Sequence, residues 1–206
     1  EPYSYSDGHP IENYDYGFKG SMTLREALVD SRNIPALKTF QEVGADRANQ
    51  FLKKLGIHIT NNNQQKLVEA NAIGGEASPI QLAAAYSAIA NLGNYQEPKI
   101  IDHVLTASGK REDFSYKQET AMKESTAYML IDVLKDIPGN FALAADVPNI
   151  FHAGKTGTTN YTHQQLEDFG LYDGEFAAPD GWYAGFSPQY TISAWVGYDN
   201  PYEGKN

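Results

Sequence analysis

The segment ASPIQLAAAYSAIANLG, residues 77–93, constrains the fold more than any other part of the sequence. Ser78 and Gln81 have the spacing of a capping box, and Pro79 suits the first position of a helix. Gly93 is the type of residue that ends one. The helix between these signals is apolar on nearly every side, which is typical of a helix buried in a core. We therefore expect other elements to cover it from several directions.

Helical patterns fill the first two thirds of the chain, and strand patterns fill the last third. Capping residues, periodicity and closing glycines predict other helices in TLREALVD from Thr23, from Pro35 onward, in ADRANQFLKKLG up to Gly56, and in STAYMLIDVLKDI. Threonine and aromatic content predicts strands at residues 151–159, 182–186 and 191–198, the last two joined by a turn at Ser187-Pro188-Gln189. This order predicts an α+β fold in which helices pack on an antiparallel sheet.

Several stretches carry weaker signals. KIIDHVLT and EDFSYKQET are typical of short strands, and residues 1–20 and 61–65 are typical of loops. The segment from Asn160 to Gly181 predicts a long acidic loop. It carries Glu167, Asp168, Asp173, Glu175 and Asp180.

The charge balance of the 206 residues excludes some classes of function. With 16 lysine and arginine residues against 26 aspartate and glutamate residues, the formal net charge is −10. Nucleic-acid binders need a basic face, so we expect no nucleic-acid partner.

The chain has no cysteine, which excludes disulfides and thiol catalysis. No apolar run reaches the length of a membrane span, and the sequence begins at Glu1. We expect a fragment of a longer protein whose membrane anchor, if any, lies in an absent N-terminal part.

The segment FHAGKTGTTNYT, residues 151–162, places one lysine between glycines and ahead of several threonines. Gly154-Lys155-Thr156 matches the end of a phosphate-binding loop, but Asn149 stands where the first glycine of that loop is required. Threonine and tyrosine also disfavour the helix that should follow. The alternative is a strand whose exposed edge carries Lys155, Thr156 and Thr158. Such an edge predicts a docking site for an extended anionic ligand, such as a peptide carboxylate.

A second polar island is DSRNIPA, residues 30–36. Ser31 and Asn33 are two apart, a spacing that would point them to different sides of a helix. Pro35 disfavours helical angles at Ile34, so we expect a turn between two helices that lets both polar side chains face one cleft. Helix capping is the simpler interpretation of the two residues when they are taken alone.

Together, S-x-N upstream and K-T-G on a late strand match two of the three signatures of the penicillin-recognising serine enzymes. Four longer stretches agree with this match: ENYDYGFKGSMTLREALVDSRNIPAL, GGEASPIQLAAAYSAIANLG, AGKTGTTN and WYAGFSPQYTISAWVGYDN. They resemble the transpeptidase domain of class A penicillin-binding proteins of Gram-positive type, over nearly the whole chain. The resemblance implies the penicilloyl-serine-transferase fold of the β-lactamases and transpeptidases.

The resemblance also implies roles for particular residues. Ser31 would belong to the proton path, and Asn33 would contact the lysine next to the nucleophile and the amide of the substrate. Lys155 would bind the terminal carboxylate of the substrate and hold Ser31. Thr156 and Thr158 would bind the same carboxylate, and Gly157 would let the ligand backbone lie against the strand. The Thr158 N–H would supply half of an oxyanion hole.

One departure from the family pattern concerns the nucleophile. The family carries it as the serine of an S-x-x-K motif upstream of S-x-N, and no S-x-x-K occurs in these 206 residues. We therefore expect residues 1–206 to be the C-terminal portion of one transpeptidase domain. The segment that bears the nucleophile would be a partner from the same domain.

The resemblance implies a peptidoglycan D,D-transpeptidase that is acylated and inhibited by β-lactams, at the outer face of the bacterial plasma membrane. Its expected partners are peptidoglycan stem peptides and β-lactam antibiotics. A D,D-carboxypeptidase or β-lactamase-like hydrolase, or a non-catalytic binding module, stays open as an alternative. We expect no cofactor. We also expect no metal, because the five histidines, at positions 9, 58, 103, 152 and 163, lack the spacing of metal ligands.

Overall fold

The computed structural model describes residues 1–171, 177–200 and 202, in which helices pack against an antiparallel sheet. The helices are α1 (Leu24–Val29), α2 (Asn33–Val43), α3 (Ala45–Lys54), α4 (Pro79–Ala90), α5 (Glu124–Leu134) and α6 (His163–Phe169). The strands are β1 (Tyr3–Ser4), β2 (Pro10–Ile11), β3 (Asn94–Gln96), β4 (His103–Leu105), β5 (Arg111–Asp113), β6 (Gln118–Thr120), β7 (Ala153–Thr158), β8 (Asp180–Phe186) and β9 (Thr191–Gly197). The predicted α+β layout is confirmed.

The main sheet has the order β7–β8–β9, with both pairs antiparallel. Lys155 lies opposite Ala184, which in turn lies opposite Ser193. The predicted hairpin between β8 and β9 is confirmed, because the Ser187 N–H donates to the Tyr190 carbonyl at 2.8 Å. Within the described residues β7 pairs only with β8, so its other edge is open.

Helix α4 is the central helix that the sequence predicts. The Ser78 hydroxyl accepts from the Gln81 N–H and the Gln81 side chain accepts from the Ser78 N–H, which completes the capping box. The helix packs on β8 and β9 and against β3 and α5, with Ala88 fully buried. Its small alanine side chains let these neighbours approach closely on several sides.

A smaller apolar cluster lies beside the start of α2. Ile11, Ile34 and Leu37 are buried there, and the rings of Tyr3 and Tyr5 pack against them. The first 20 residues were expected to form a loop, but they contain the short pair β1–β2. The buried side chain of Ile11 explains this difference, because it packs against α2 and so holds the β1–β2 pair on that helix.

The prediction of one long loop from Asn160 to Gly181 was wrong, because α6 lies inside it. Thr162 and Gln165 form a reciprocal capping box at the start of α6, and Gly170 closes it with a left-handed φ of 70°. Two of the predicted loop residues, Asp173 and Glu175, lie outside the described residues.

The middle of the chain also differs from expectation. The segment EDFSYKQET was expected to form one strand, but it contributes to β5 and β6, which pair with different partners. Strand β3 was not predicted. In the part of the chain that the structure describes, no helix is long and apolar enough to cross a membrane.

Gly154, immediately before Lys155, packs tightly against the neighbouring strand β8. A Cβ atom there would overlap the Tyr183 ring and hydroxyl and would lie 2.8 Å from the Ala184 carbonyl oxygen. Gly154 lies opposite Gly185, so the aromatic ring of Tyr183 lies over a bare patch of backbone. The missing side chain at Gly154 therefore allows β7 to sit at its observed distance from β8.

We expect Gly154→Ala to lower the free energy of unfolding by about 1–3 kcal/mol, because the added methyl group overpacks the sheet. Gly181→Ala is the matched control. Gly181 lies on β8 four residues before Gly185, on the same face of the same sheet, and a Cβ there meets only the Val196 carbonyl at 3.8 Å. This control should leave the stability unchanged or raise it by up to about 1 kcal/mol. Urea unfolding of both variants measures the difference, and equal values would contradict the overpacking.

Candidate active site

Ser31 occupies a strained turn at the end of α1. The Ser31 N–H donates to the Leu28 carbonyl at 3.2 Å, and the Arg32 N–H donates to the Ala27 carbonyl at 2.9 Å. These two bonds form a Schellman motif, whose left-handed position is usually glycine. Ser31 takes that position with φ = 54°. A left-handed non-glycine residue is strained, and such strain persists where the surrounding structure enforces it.

Asn33 begins α2 and does not lie in a separate turn, which corrects the expectation from Pro35. The first N–H groups of a helix have no partner within the helix, so proline at its third position removes no helical hydrogen bond. Asn13 Oδ1 accepts instead from the Asn33 N–H at 3.1 Å and the Ile34 N–H at 3.4 Å. The Asn33 side chain donates from Nδ2 to the Glu12 carbonyl at 2.8 Å. Neither Ser31 nor Asn33 acts as the N-cap of α2, which is Arg32 without a side-chain cap.

The structure brings Lys155 and Ser31 together. Lys155 Nζ donates to Ser31 Oγ at 2.7 Å, across a sequence separation of 124 residues. The same nitrogen lies 3.3 Å from the Thr156 carbonyl. The two motifs that the sequence singled out therefore share one site, with one residue from each in direct contact. By contrast, the side-chain amide nitrogen of Asn33 donates to the Glu12 carbonyl.

Burial lowers the pKa of Lys155 from its ordinary 10.5 to about 8. The aromatic ring of Phe141 lies under the ammonium, with Nζ 5.2 Å from the ring centroid. None of the salt bridges formed by the described residues involves Lys155. The cation is thus surrounded by a hydroxyl, a carbonyl and a ring, and a carboxylate ligand would supply its counter-charge.

The open edge of β7 presents polar backbone groups beside Lys155. The Thr159 N–H donates across the ladder to the Asp180 carbonyl, so by the alternation of an antiparallel strand the Thr158 N–H points away from β8. The Thr156 carbonyl points to the same open edge, in agreement with its approach to Lys155 Nζ. Gly157 and Thr158 are exposed and Thr156 is half-buried. An extended peptide can therefore pair with this edge.

The sequence motifs did not indicate the residues that support the backbone next to Ser31. The Arg32 side chain is 1% exposed and donates to Asp15 Oδ2 at 2.7 Å and to the Gly17 carbonyl at 2.6 Å. The hydrogen bond from Arg32, together with that from the Gly17 N–H, holds the pKa of Asp15 below its usual range. The guanidinium also lies 5.7 Å from the centroid of the Tyr14 ring. The sequence offered one signal for this contact, the arginine inside the S-x-N motif. An arginine that becomes buried on folding requires a partner.

This arrangement can bind a carboxylate, polarise a hydroxyl and offer an N–H to a carbonyl oxygen. Lys155 supplies the charge, Ser31 the hydroxyl and Thr158 the N–H. A site that combines these three features suits acyl transfer at the end of a peptide.

Comparison with solved structures gives the fold. The structure of the penicillin-binding protein PonA1 from Mycobacterium tuberculosis matches with a TM-score of 0.77 and 21% identity, over 98% of this chain and 55% of that one. Penicillin-binding protein 1A from Haemophilus influenzae matches with a TM-score of 0.75 and 22% identity, over 98% of this chain and 34% of that one. The expected penicilloyl-serine-transferase fold is confirmed.

Comparison with known sequences gives the family. The chain is 38% identical over 206 residues to penicillin-binding protein 1A/1B of Bacillus subtilis (strain 168), which covers 98% of this chain and 22% of that protein. It is 39% identical over 209 residues to penicillin-binding protein 1A of Streptococcus pneumoniae (strain ATCC BAA-255 / R6), which covers 97% of this chain and 28% of that protein. The chain thus spans less than a third of the length of these relatives. Since residues 1–205 also match the penicillin binding protein transpeptidase domain, the chain belongs to that family.

Proposed function

We propose that this chain forms the carboxylate-binding half of the active site of a peptidoglycan D,D-transpeptidase. The hydrogen bond between Lys155 Nζ and Ser31 Oγ carries the proposal, because it joins the two family motifs in one site. Residues 1–206 would be the C-terminal portion of the domain. The nucleophilic serine would belong to a segment outside these residues, and the assembled enzyme would act at the outer face of the bacterial plasma membrane.

The substrate would be the D-Ala-D-Ala end of a stem peptide. Its terminal carboxylate would pair with the Lys155 ammonium and accept from the hydroxyls of Thr156 and Thr158. Its backbone would lie along the open edge of β7, where Gly157 has no side chain to obstruct it. The charge of Lys155 supports this role, because no carboxylate among the described residues neutralises it.

In the first step the serine oxygen would attack the carbonyl carbon of the penultimate D-alanine. The carbonyl oxygen would gain negative charge and accept from the Thr158 N–H, half of an oxyanion hole. The serine proton would pass by way of Ser31 to the nitrogen of the last D-alanine, which leaves as an amine. Asn33 would accept from the lysine beside the nucleophile through Oδ1, since its Nδ2 is held by Glu12.

In the second step an amine of a neighbouring stem peptide would attack the resulting ester. The serine would leave with a proton from that amine, and a cross-link would form. A β-lactam presents a carboxylate next to a reactive carbonyl, so the same groups would hold it. Related solved structures support this part of the proposal, because they are imipenem and penicillin G acyl-enzyme complexes of penicillin-binding protein A from M. tuberculosis.

We expect Lys155→Ala to lower the rate of acylation by a fluorescent penicillin roughly 10²-fold or more, because it removes a transition-state contact. The rate is measured on the complete domain, with the nucleophile present. Lys110→Ala is the matched control, because Lys110 lies on an exposed hairpin, paired with Glu112 at 3.0 Å. A wild-type acylation rate in Lys155→Ala would overturn the assignment.

The strained turn offers a second test that separates activity from stability. Ser31→Ala keeps the strain and removes the hydroxyl, whereas Ser31→Gly removes both. We expect both variants to lose acylation about 10²-fold or more, as for loss of a proton-transfer group. Ser31→Gly should be more stable than Ser31→Ala by about 1 kcal/mol, because glycine adopts the left-handed region without strain. Acylation kinetics and urea unfolding measure the two effects. Wild-type acylation in either variant would remove Ser31 from the proton path.

A third test uses the titration of Lys155, whose pKa is about 8. The protonated amine binds a carboxylate and the neutral amine does not, so affinity for an acyl-D-Ala-D-Ala peptide should be highest below pH 8. It should then fall as the pH rises, by at most about tenfold per unit. Calorimetry measures the affinity. The same peptide with its carboxylate converted to an amide is the control and should show no such fall. A flat profile for the carboxylate peptide would contradict the ion pair.

A further inference from the structure

We propose that residues 13–17, NYDYG, form a positioning loop that fixes Ser31 and Lys155 relative to each other. We call this segment the 13–17 loop. The proposal rests on the proposed function, and adds to it residues that are not among the groups assigned there to the substrate or the proton path. The loop contacts the serine turn on one side and, through Tyr14, the Phe141 ring beneath the lysine on the other.

The first connection runs through Arg32, the residue after Ser31. Its guanidinium is almost fully buried and is held by the Asp15 carboxylate and the Gly17 carbonyl. A buried charge is costly unless it is paired, so the guanidinium strongly favours the loop in its observed place. Because Arg32 also closes the Schellman motif through its backbone N–H, its side chain and the strained turn are fixed together.

The second connection runs through Asn13, which is only 5% exposed. Its Oδ1 accepts from the first two N–H groups of α2, and its Nδ2 donates to the Gly17 carbonyl at 2.9 Å. One amide thus closes the 13–17 loop and holds the start of the helix that follows Ser31. The turn is therefore anchored two residues beyond Ser31, at Asn33, as well as at Arg32.

The third connection leads to Lys155. The Tyr14 ring meets Phe141 edge to face, with ring centroids 5.5 Å apart, and the Phe141 ring lies 5.2 Å from Lys155 Nζ. An aromatic face attracts a cation, so the position of Phe141 influences where the ammonium rests. The guanidinium of Arg32 lies near the other end of the same chain of rings, at Tyr14.

The left-handed φ of Ser31 explains why the serine turn needs support from the 13–17 loop. A strained backbone conformation relaxes unless its surroundings determine it from more than one side. Here Arg32 and Asn33 hold the turn on the side that follows the serine, and Lys155 holds the serine hydroxyl itself. Loosening the loop should displace the hydroxyl from the ammonium without removing either group.

The test compares Tyr14→Leu, which removes the ring, with Tyr14→Phe, which keeps it. Tyr14 is half exposed, so both variants should fold. In the complete protein, we expect Tyr14→Leu to lower the rate constant of penicillin acylation by about 10- to 100-fold, the scale of a small misplacement of reacting groups. The dissociation constant of the non-covalent complex should change by less than about threefold, because the binding groups remain. Tyr14→Phe should restore the wild-type rate constant.

Asp15→Asn tests the other side of the loop. It removes the charge that pairs with Arg32, and should lower the acylation rate constant in the same range. Asp113→Asn is the matched control, because Asp113 also accepts from an arginine at 2.7 Å, in the exposed hairpin of β4 and β5. It should leave the rate unchanged.

The outcomes separate the two proposals. If the wild-type protein is not acylated, the proposed function fails. If Ser31→Ala abolishes acylation but Tyr14→Leu acylates at the wild-type rate, the function stands and the positioning role is wrong. If Tyr14→Leu weakens non-covalent binding as much as it slows acylation, or Tyr14→Phe fails to restore the rate, the positioning role is likewise overturned.

Discussion

The hydrogen bond from Lys155 to Ser31 joins the helical layer to the sheet, and the geometry of the site depends on it. Ser31 follows α1, whereas Lys155 lies on β7. Helix α5 packs against both of these elements. Arg25 of α1 forms ion pairs with Asp132 and Asp136, on α5 and just beyond its end. One helix therefore acts as the spacer that sets how far the serine turn stands from the strand.

The electrostatic state of Lys155 distinguishes it from other lysines of the chain. Asp30 raises the pKa of Lys19, and Glu119 raises the pKa of Lys117, because each carboxylate stabilises the charged amine. Burial acts on Lys155 in the opposite direction and lowers its pKa to about 8. A ligand carboxylate would relieve that unfavourable burial. The part of the binding free energy that comes from this pairing is therefore larger than it would be for an exposed lysine.

Local signals in the sequence predicted most of the fold, and long-range contacts account for what they missed. The capping boxes at Thr23 and Ser78 are complete within four residues, so the starts of α1 and α4 could be predicted. The start of α2 could not, because its first N–H groups donate to Asn13, 20 residues upstream of Asn33. Helix α6 had a local signal at Thr162, which its acidic surroundings obscured. For the site, the motifs predicted Ser31 and Lys155, but a pairing such as Tyr14 with Phe141 exists only after folding.

Two residues of the site depart from what local stability favours. Ser31 takes a backbone conformation that suits glycine, and Lys155 is buried without a carboxylate partner among the described residues. Both departures concern the same hydrogen bond, since one strained residue supplies its acceptor and one destabilised cation its donor. A glycine at 31 would end α1 with less strain, but it would leave the ammonium without its hydroxyl. Both unfavourable features thus meet at one hydrogen bond, which fits the binding and catalytic roles proposed for these two residues.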